Sequence, residues 1–268
     1  MFLPKLFTKS LTILLLSTAI GASSGLSEEK KVKPGDETPT LKEAVKLVRD
    51  ENKPALTWLW EDQLYPTIQH ASDITSLWIF VAGAAATSYA HQHDSEFRER
   101  YGNNRGMSQN ETKAGAILGS GFPGIAIALG QMYFDTDDGL QHLRAIGFTS
   151  LTHITIAEAV QRERPNGKKL SFPSGHTSSA FATAGSVAYS YGPWAGVPAF
   201  AAASYIGLSR VANNAHWLSD IVAGAGLGIY WARASAQVGI VGEKTSYYPI
   251  YTTSEAGPMV GVGVEHKF

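Results

Sequence analysis

Runs of apolar and small residues, separated by short polar clusters, make up most of this chain. The runs are rich in alanine and glycine and show little of the alternation typical of strands, so they predict helices. Together with an amphipathic lead-in at Leu41–Asp50, they predict an all-α fold, a helical bundle of about six helices. The six runs are Ile74–Ala90, Ala114–Phe134, Ala145–Val160, Gly175–Tyr191, Trp194–Leu208 and His216–Ala232.

The N-terminal part of the chain has a different character. Lys5 and Lys9 precede an uncharged, leucine-rich run that ends in small residues, which is typical of a secretory signal peptide over residues 1–25. An uncleaved membrane anchor is the alternative. The polar residues 26–40 predict a linker, and the helical domain is predicted to follow over residues 41–236.

The C-terminal residues 237–268 are predicted to form a separate tail. Tyr247–Thr253 and Met259–His266 are rich in Tyr, Val and Thr, and Gly257-Pro258 lies between them. This pattern predicts a β-hairpin. Within the preceding helix, Gly224 and Gly228 are spaced so that a neighbouring helix can approach closely.

Composition narrows the classes of partner. The formal net charge is -1 and no basic stripe is present, so no nucleic-acid partner is expected. The chain contains no cysteine, which excludes disulfides and thiolate metal sites. The mean hydropathy of -0.07 is low for a chain with six membrane spans, so an exported, periplasmic domain that associates with a membrane is favoured over an integral one.

Three of the polar clusters carry candidate catalytic residues, and the most C-terminal of them contains a histidine and a carboxylate four residues apart. On a helix, His216 and Asp220 would share one face, so the carboxylate can hold one ring nitrogen while the other faces a substrate. A surface pair or a buried structural histidine is the alternative. Arg210 precedes them near a helix C-terminus, where cations are common for dipole reasons alone.

The other two clusters offer groups that bind anions. Pro173-Ser174-Gly175-His176 is predicted to open a helix, where free N–H groups bind oxyanions, although Ser174 is also an ordinary capping residue. His176 would lie in the first helical turn, within reach of a leaving oxygen. Arg162 and Arg164 point in different directions, so one is expected to bind phosphate and the other to face solvent or Glu163.

In this order and at these spacings, the clusters resemble the signature of the type 2 phosphatidic acid phosphatase superfamily. That superfamily includes bacterial class A acid phosphatases and vanadium haloperoxidases. The resemblance covers about Ala145–Ala232 and rests on Arg164-Pro165, on Pro173-Ser174-Gly175-His176, and on Ser209-Arg210 with His216 and Asp220.

The resemblance implies a phosphatase that hydrolyses phosphomonoesters in two steps, with no metal or other cofactor. It implies that His216 attacks phosphorus to form a phosphohistidine and that Asp220 orients it. It further implies that His176 protonates the leaving alcohol and then activates water. The phosphate oxygens would be held by the remaining motif residues, Arg164, Ser174, Gly175 and Arg210.

One position departs from the superfamily pattern. The first motif begins with a lysine seven residues before its arginine, and this chain has Ala157 there. Arg162, Lys168, Lys169 and His153 are candidates to compensate, and His153 lies one turn before Ala157 on the same helical face. The substitution counts against a haloperoxidase, because that lysine helps to bind vanadate in those relatives.

The sequence leaves three functions open. The long apolar helices and the tryptophans at positions 58 and 60 favour a phosphatase that acts on phosphorylated lipids at a membrane surface. The signal peptide and the modest hydropathy favour a soluble, broad-specificity periplasmic acid phosphatase that acts on small phosphoesters. The third is a vanadium-dependent haloperoxidase, or a protein that has lost its catalytic activity and only binds phosphate.

Overall fold

The structure, a computed structural model, describes residues 53–238 with their side chains, and the backbone of residues 244–254 and 257–267. The predicted signal peptide, the linker and the lead-in Leu41–Asp50 lie outside the described residues. The predicted domain boundaries therefore stay predictions.

The described part is all-α apart from one pair of strands, which confirms the predicted fold class. The first helix, α1, continues through a π-helical stretch, Leu59–Leu64, into α2. The remaining helices follow with short connections. Their bounds are α1 Ala55–Trp58, α2 Tyr65–Ala71, α3 Ile74–His91, α4 Asp94–Tyr101, α5 Gln109–Leu118, α6 Phe122–Phe134, α7 Thr136–Val160, α8 Gly175–Tyr191, α9 Pro193–Ala212 and α10 Leu218–Ala236.

Polar capping residues explain where several helices begin. The Asp73 side chain accepts from the Ser76 N–H at the start of α3. Ser108 and Glu111 form a reciprocal capping box at the start of α5. Asp135 accepts from the first N–H groups of α7. Such caps satisfy backbone donors that have no partner within the helix.

Several helices differ from the prediction, and three of the differences have a clear structural cause. The run Ala114–Phe134 is divided between α5 and α6, because the chain turns at Gly121 with a φ of 89°, which favours glycine. The helix α4 is additional; its sequence is too polar to show an apolar run. The helix α7 begins at Thr136 rather than at Ala145, because Asp135 caps it.

Helices α8 and α10 pack closely, and this contact forms the centre of the fold. A Cβ atom at Gly228 would lie 2.5 Å from the Ser178 carbonyl oxygen, and one at Gly224 would lie 2.7 Å from the Ser174 carbonyl oxygen. The predicted close approach at these two glycines is therefore confirmed. Small buried side chains fill the surrounding core, among them Ala145, Ala182, Ala184, Ala203 and Ala232.

The C-terminal backbone forms the predicted hairpin. The strands β1 (Lys244–Ser254) and β2 (Gly257–Lys267) pair antiparallel. In this register Tyr247 pairs with Val264 and Tyr251 pairs with Val260. The hairpin is longer than the two segments identified from composition.

The helical part exposes many large apolar side chains. In the described residues, no single helix has the length and apolarity to cross a membrane; the bent pair α5 and α6, which meet at 45°, passes that test only when taken together. The most exposed apolar side chains include those of Leu56, Trp78, Ile117, Phe122 and Val197.

Candidate active site

The Pro-Ser-Gly-His segment occupies the N-terminus of α8, as predicted. Ser174 caps the helix, and its Oγ accepts from the Thr177 N–H at 3.4 Å and from the Thr177 hydroxyl at 3.0 Å. Neither contact uses the Ser174 hydroxyl proton. The Ser174 N–H donates to the Asp220 carbonyl at 2.9 Å, so this turn is fixed to the start of α10. His176 lies in the first turn of α8.

His216 lies before α10, so the prediction that His216 and Asp220 share one face of a helix is wrong. Trp217 is the N-cap residue, and its N–H donates to Asp220 Oδ2 at 2.9 Å. This turn still brings His216 Nδ1 to 3.7 Å from Asp220 Oδ2, which is too long for a hydrogen bond.

The backbone of Ser171 holds the His216 ring instead. Nδ1 of His216 lies 2.7 Å from the Ser171 carbonyl oxygen. Because a carbonyl oxygen only accepts, Nδ1 carries a proton, so Nε2 is the nitrogen that can present a lone pair to a substrate. Ser171 was missed in the sequence, since a backbone contact depends on the path of the loop rather than on the residue type.

Asp220 is fully buried and is neutralised by an arginine that the sequence did not assign to it. Arg162 Nη1 donates to Asp220 Oδ1 at 2.6 Å, and the Ser171 hydroxyl donates to Oδ2. Arg162 Nη2 donates to Asp94 at 2.8 Å. Arg162 therefore bridges two carboxylates, so the prediction that it faces solvent or Glu163 is wrong.

Asp94 is a second residue that sequence reasoning missed. It is buried at the start of α4 and accepts from both the N–H (2.8 Å) and the hydroxyl (2.7 Å) of Ser219 in α10. Burial raises its pKa, but the hydrogen bonds from Ser219 and Arg162 outweigh that effect and hold the pKa below its ordinary value. No sequence signal connects positions so far apart in the chain.

The two remaining motif arginines lie on separate elements. The loop after α7 folds back on Arg164, whose Nε and Nη2 donate to the carbonyls of Lys169 and Leu170. Arg210 in α9 is buried, and its Nη2 donates to the Thr112 carbonyl at 3.2 Å. Arg210 Nε is buried without a hydrogen-bond partner in the described part of the chain. A buried guanidinium donor of this kind fits an anion.

Positive charge converges on His176. Its pKa is lowered to about 4, first by burial and then by Arg210, by His216 when it is protonated, by Arg164 and by His153 when it is protonated. Backbone hydrogen bonds join the motif segments, since the His216 N–H donates to the Arg210 carbonyl at 3.2 Å and the Ser174 N–H donates to the Asp220 carbonyl at 2.9 Å. Within the described residues, no group of three or more His, Cys, Asp or Glu side chains is arranged to hold a metal ion.

Comparison with known proteins finds a family whose pattern matches part of this chain and a relative that is similar over 80 residues. Residues 123–240 match the PAP2 superfamily. A lipid A 1-phosphatase from Porphyromonas gingivalis is 45% identical over 80 residues, which is 26% of this chain and 18% of that protein. The matched segment therefore spans less than a fifth of the relative's length.

Two solved structures are similar in part. The crystal structure of LpxE from Aquifex aeolicus has a TM-score of 0.48 and 23% identity, and the match covers 53% of this chain and 92% of that one. The crystal structure of a transmembrane PAP2 type phosphatidylglycerolphosphate phosphatase from Bacillus subtilis has a TM-score of 0.46 and 21% identity, and the match covers 63% and 92%.

Proposed function

Because this chain belongs to the PAP2 superfamily through residues 123–240, we propose that it is a phosphatase that hydrolyses phosphomonoesters, with phosphorylated lipids as its substrates. The observation that carries this proposal is that the motif segments meet: the His216 N–H donates to the Arg210 carbonyl, and the Ser174 N–H donates to the Asp220 carbonyl. Arg164 and Arg210 are also near enough to His176 to lower its pKa. Asp220, the carboxylate nearest His216, is already engaged by Arg162, so the site keeps an excess of positive charge for a phosphate dianion.

Phosphate binding uses donors that already have fixed positions. Arg164 and Arg210 bind the nonbridging oxygens, together with the Gly175 N–H at the start of α8 and the Ser174 hydroxyl. Arg210 Nε gains the acceptor that it lacks in the described structure. Donors held in place before the reaction stabilise the charge that develops on phosphorus.

The first chemical step transfers the phosphoryl group to the protein. His216 Nε2 attacks phosphorus with its lone pair, and the bond from phosphorus to the leaving oxygen breaks. The positive charge that develops on the ring is stabilised by the Ser171 carbonyl, which accepts from Nδ1, and by the nearby Asp220 carboxylate. His176 gives its proton to the leaving alkoxide and becomes neutral.

The second step releases phosphate. Neutral His176 accepts a proton from water, and the resulting hydroxide oxygen attacks phosphorus. The bond between phosphorus and His216 Nε2 breaks, the electron pair returns to the ring, and His176 is protonated for the next cycle. The mechanism needs no metal ion.

A lipid substrate and a membrane surface are the finer parts of the proposal. The partial relative is named as a lipid A 1-phosphatase, and this chain exposes tryptophan, phenylalanine and leucine side chains on several helices. Exposed apolar area of this kind is typical of proteins that meet lipid or another protein. The predicted signal peptide completes the proposal with a periplasmic, membrane-associated location.

The test is a phosphate-release assay with purified protein. The substrates are phosphatidic acid, phosphatidylglycerophosphate, an isoprenyl diphosphate and p-nitrophenyl phosphate, each with and without detergent. We expect faster release from a lipid phosphate than from p-nitrophenyl phosphate, inhibition by vanadate and no loss of rate with EDTA. Preference for p-nitrophenyl phosphate would favour a broad-specificity acid phosphatase, and halide oxidation by the vanadate-loaded protein would favour a haloperoxidase.

A further inference from the structure

His153 lies beside the proposed phosphate site, although it belongs to none of the three motifs. It is half-buried on α7, one turn before Ala157. A Cβ atom at Gly175 would lie 2.6 Å from His153 Nε2 and 2.7 Å from Cε1. The edge of the imidazole therefore faces the first residue of α8, where the proposed oxyanion donors are. Glycine is needed at position 175 because any side chain would occupy the space of this ring.

The groups that act on His153 are the groups of the site. Burial lowers its pKa first, and the charges of His216 and Arg164 lower it further, while a hydrogen bond with the Ser150 backbone raises it. His153 in turn contributes to the lowered pKa of His176. The Arg164 charge and the protonated form of His216 disfavour the protonated His153 ring, whereas an arriving phosphate dianion would favour it.

We propose that His153 is a phosphate-binding residue, whose Nε2–H donates to a nonbridging oxygen of the substrate phosphate. This inference rests on the proposed function. Its imidazole lies on the helical face where Ala157 replaces the lysine of the superfamily pattern, and it supplies the cation that the alanine lacks. When the dianion binds, the ring takes up one proton from solvent, because the cationic form is then stabilised by the bound charge.

The test compares variants at two positions of α7. We expect His153→Ala to raise both the KM for phosphatidic acid and the inhibition constant of vanadate by about tenfold or more, the effect of losing one charge-assisted hydrogen bond. His153→Gln keeps a hydrogen-bond donor without a charge, so its KM and inhibition constant should lie between those of the wild type and those of His153→Ala. His93→Ala, which removes a ring bonded to the Tyr89 carbonyl, is the matched control and should behave as wild type.

A lysine at position 157 gives a second, independent readout. Adding Ala157→Lys to His153→Ala should recover part of the lost vanadate affinity, since the alanine introduced at position 153 leaves room for the lysine side chain. In the wild-type background the same lysine should bring little gain, because the imidazole already occupies the space and supplies the cation. Both results would separate phosphate binding from a purely structural role for the ring.

Calorimetry separates this inference from the proposed function. Vanadate binding, measured in buffers of different ionisation enthalpy, should show less proton uptake for His153→Ala than for wild type. An unchanged inhibition constant and unchanged proton uptake in a folded His153→Ala protein would overturn the role of His153. A wild-type protein that binds vanadate but releases phosphate from none of the substrates would overturn the proposed function. The role of His153 in phosphate binding would then be decided by the vanadate-binding measurements alone.

Discussion

Single side chains in the site owe their chemistry to burial and to neighbouring charge. His176 is neutral in the empty site because its pKa is lowered to about 4, yet the proposed first step needs it protonated. A bound phosphate dianion resolves this conflict, since it favours the imidazolium that Arg210 and Arg164 disfavour. In the proposed mechanism, substrate binding and protonation of His176 are therefore coupled.

This coupling predicts a difference between two pH profiles. The profile of kcat/KM reports the free enzyme, and that of kcat reports the substrate complex. Because the dianion raises the pKa of His176, kcat should begin to fall at a higher pH than kcat/KM does. Steady-state rates between pH 4 and 9 would check this, and coincident profiles would show that His176 is not the proton donor.

Sequence reasoning worked best for individual residues whose position depends on local structure. Ser174 and His176 are located correctly because a serine before a helical run is a strong N-cap signal. His216 is the counter-example. Trp217 is the N-cap residue of α10, so His216 lies in the preceding loop, and its ring contacts the Ser171 carbonyl. That contact depends on two loops that meet only in the folded chain.

At the next level, the packing of α8 against α10 sets the distance between the two halves of the site. Ser174 at the start of α8 donates to the Asp220 carbonyl in α10, and the two glycines of α10 allow this approach. Any displacement of one helix would move His176 relative to His216.

We predict that Gly228→Ala destabilises the protein. The new Cβ would lie 2.5 Å from the Ser178 carbonyl and 2.6 Å from the Ala182 nitrogen, both of them backbone atoms that cannot move separately. Overpacking of this kind costs about 1–3 kcal/mol. The measurement is the free energy of unfolding in denaturant, together with the rate of phosphate release.

Gly147→Ala is the matched control for this substitution. Gly147 lies within α7, and a Cβ atom there has no neighbour within 4 Å among the described residues. Alanine should stabilise this helix by about 0.5–1 kcal/mol, because glycine loses more backbone entropy on folding. Equal stability of the two variants would contradict the account of α8–α10 packing.

The boundaries that differ from the prediction have physical causes beyond periodicity. The helix α4 carries few apolar residues and is fixed by tertiary contacts, of which the one between Asp94 and Ser219 is the clearest. The break between α5 and α6 depends on the positive φ of Gly121 inside an otherwise continuous apolar run. A pattern of apolar positions indicates which face of a helix is buried. It contains no information about tertiary contacts such as that of Asp94 or about the φ angle of a single glycine.

Across the whole molecule, buried histidines predict a loss of stability in acid. His142 is fully buried between Gln131 and Thr183, and burial lowers its pKa to about 4. In the unfolded chain a histidine binds its proton near pH 6.5. Between these values the unfolded state binds more protons, so stability falls as the pH drops from about 6.5 to about 4, by about 3 kcal/mol for this residue.

Denaturant unfolding at pH 7 and at pH 4.5 checks this expectation. His142→Gln removes the titrating group, so its stability should depend less on pH than that of the wild type, whatever its stability at pH 7. His93→Gln, at a histidine outside the core, should keep the wild-type slope. A wild-type slope in His142→Gln would mean that another group causes the acid sensitivity.

The measurement closest to the central claim is phosphate release by His216→Ala. Wild type, His216→Ala and the control His70→Ala are compared on phosphatidic acid in detergent micelles, after each is shown to be folded. His70 lies in the last turn of α2 and belongs to none of the three motifs. We expect His216→Ala to lose the activity by about a thousandfold or more, as happens when a nucleophile is removed, while His70→Ala stays at the wild-type rate. A His216→Ala protein that releases phosphate at the full rate would contradict the proposed reaction.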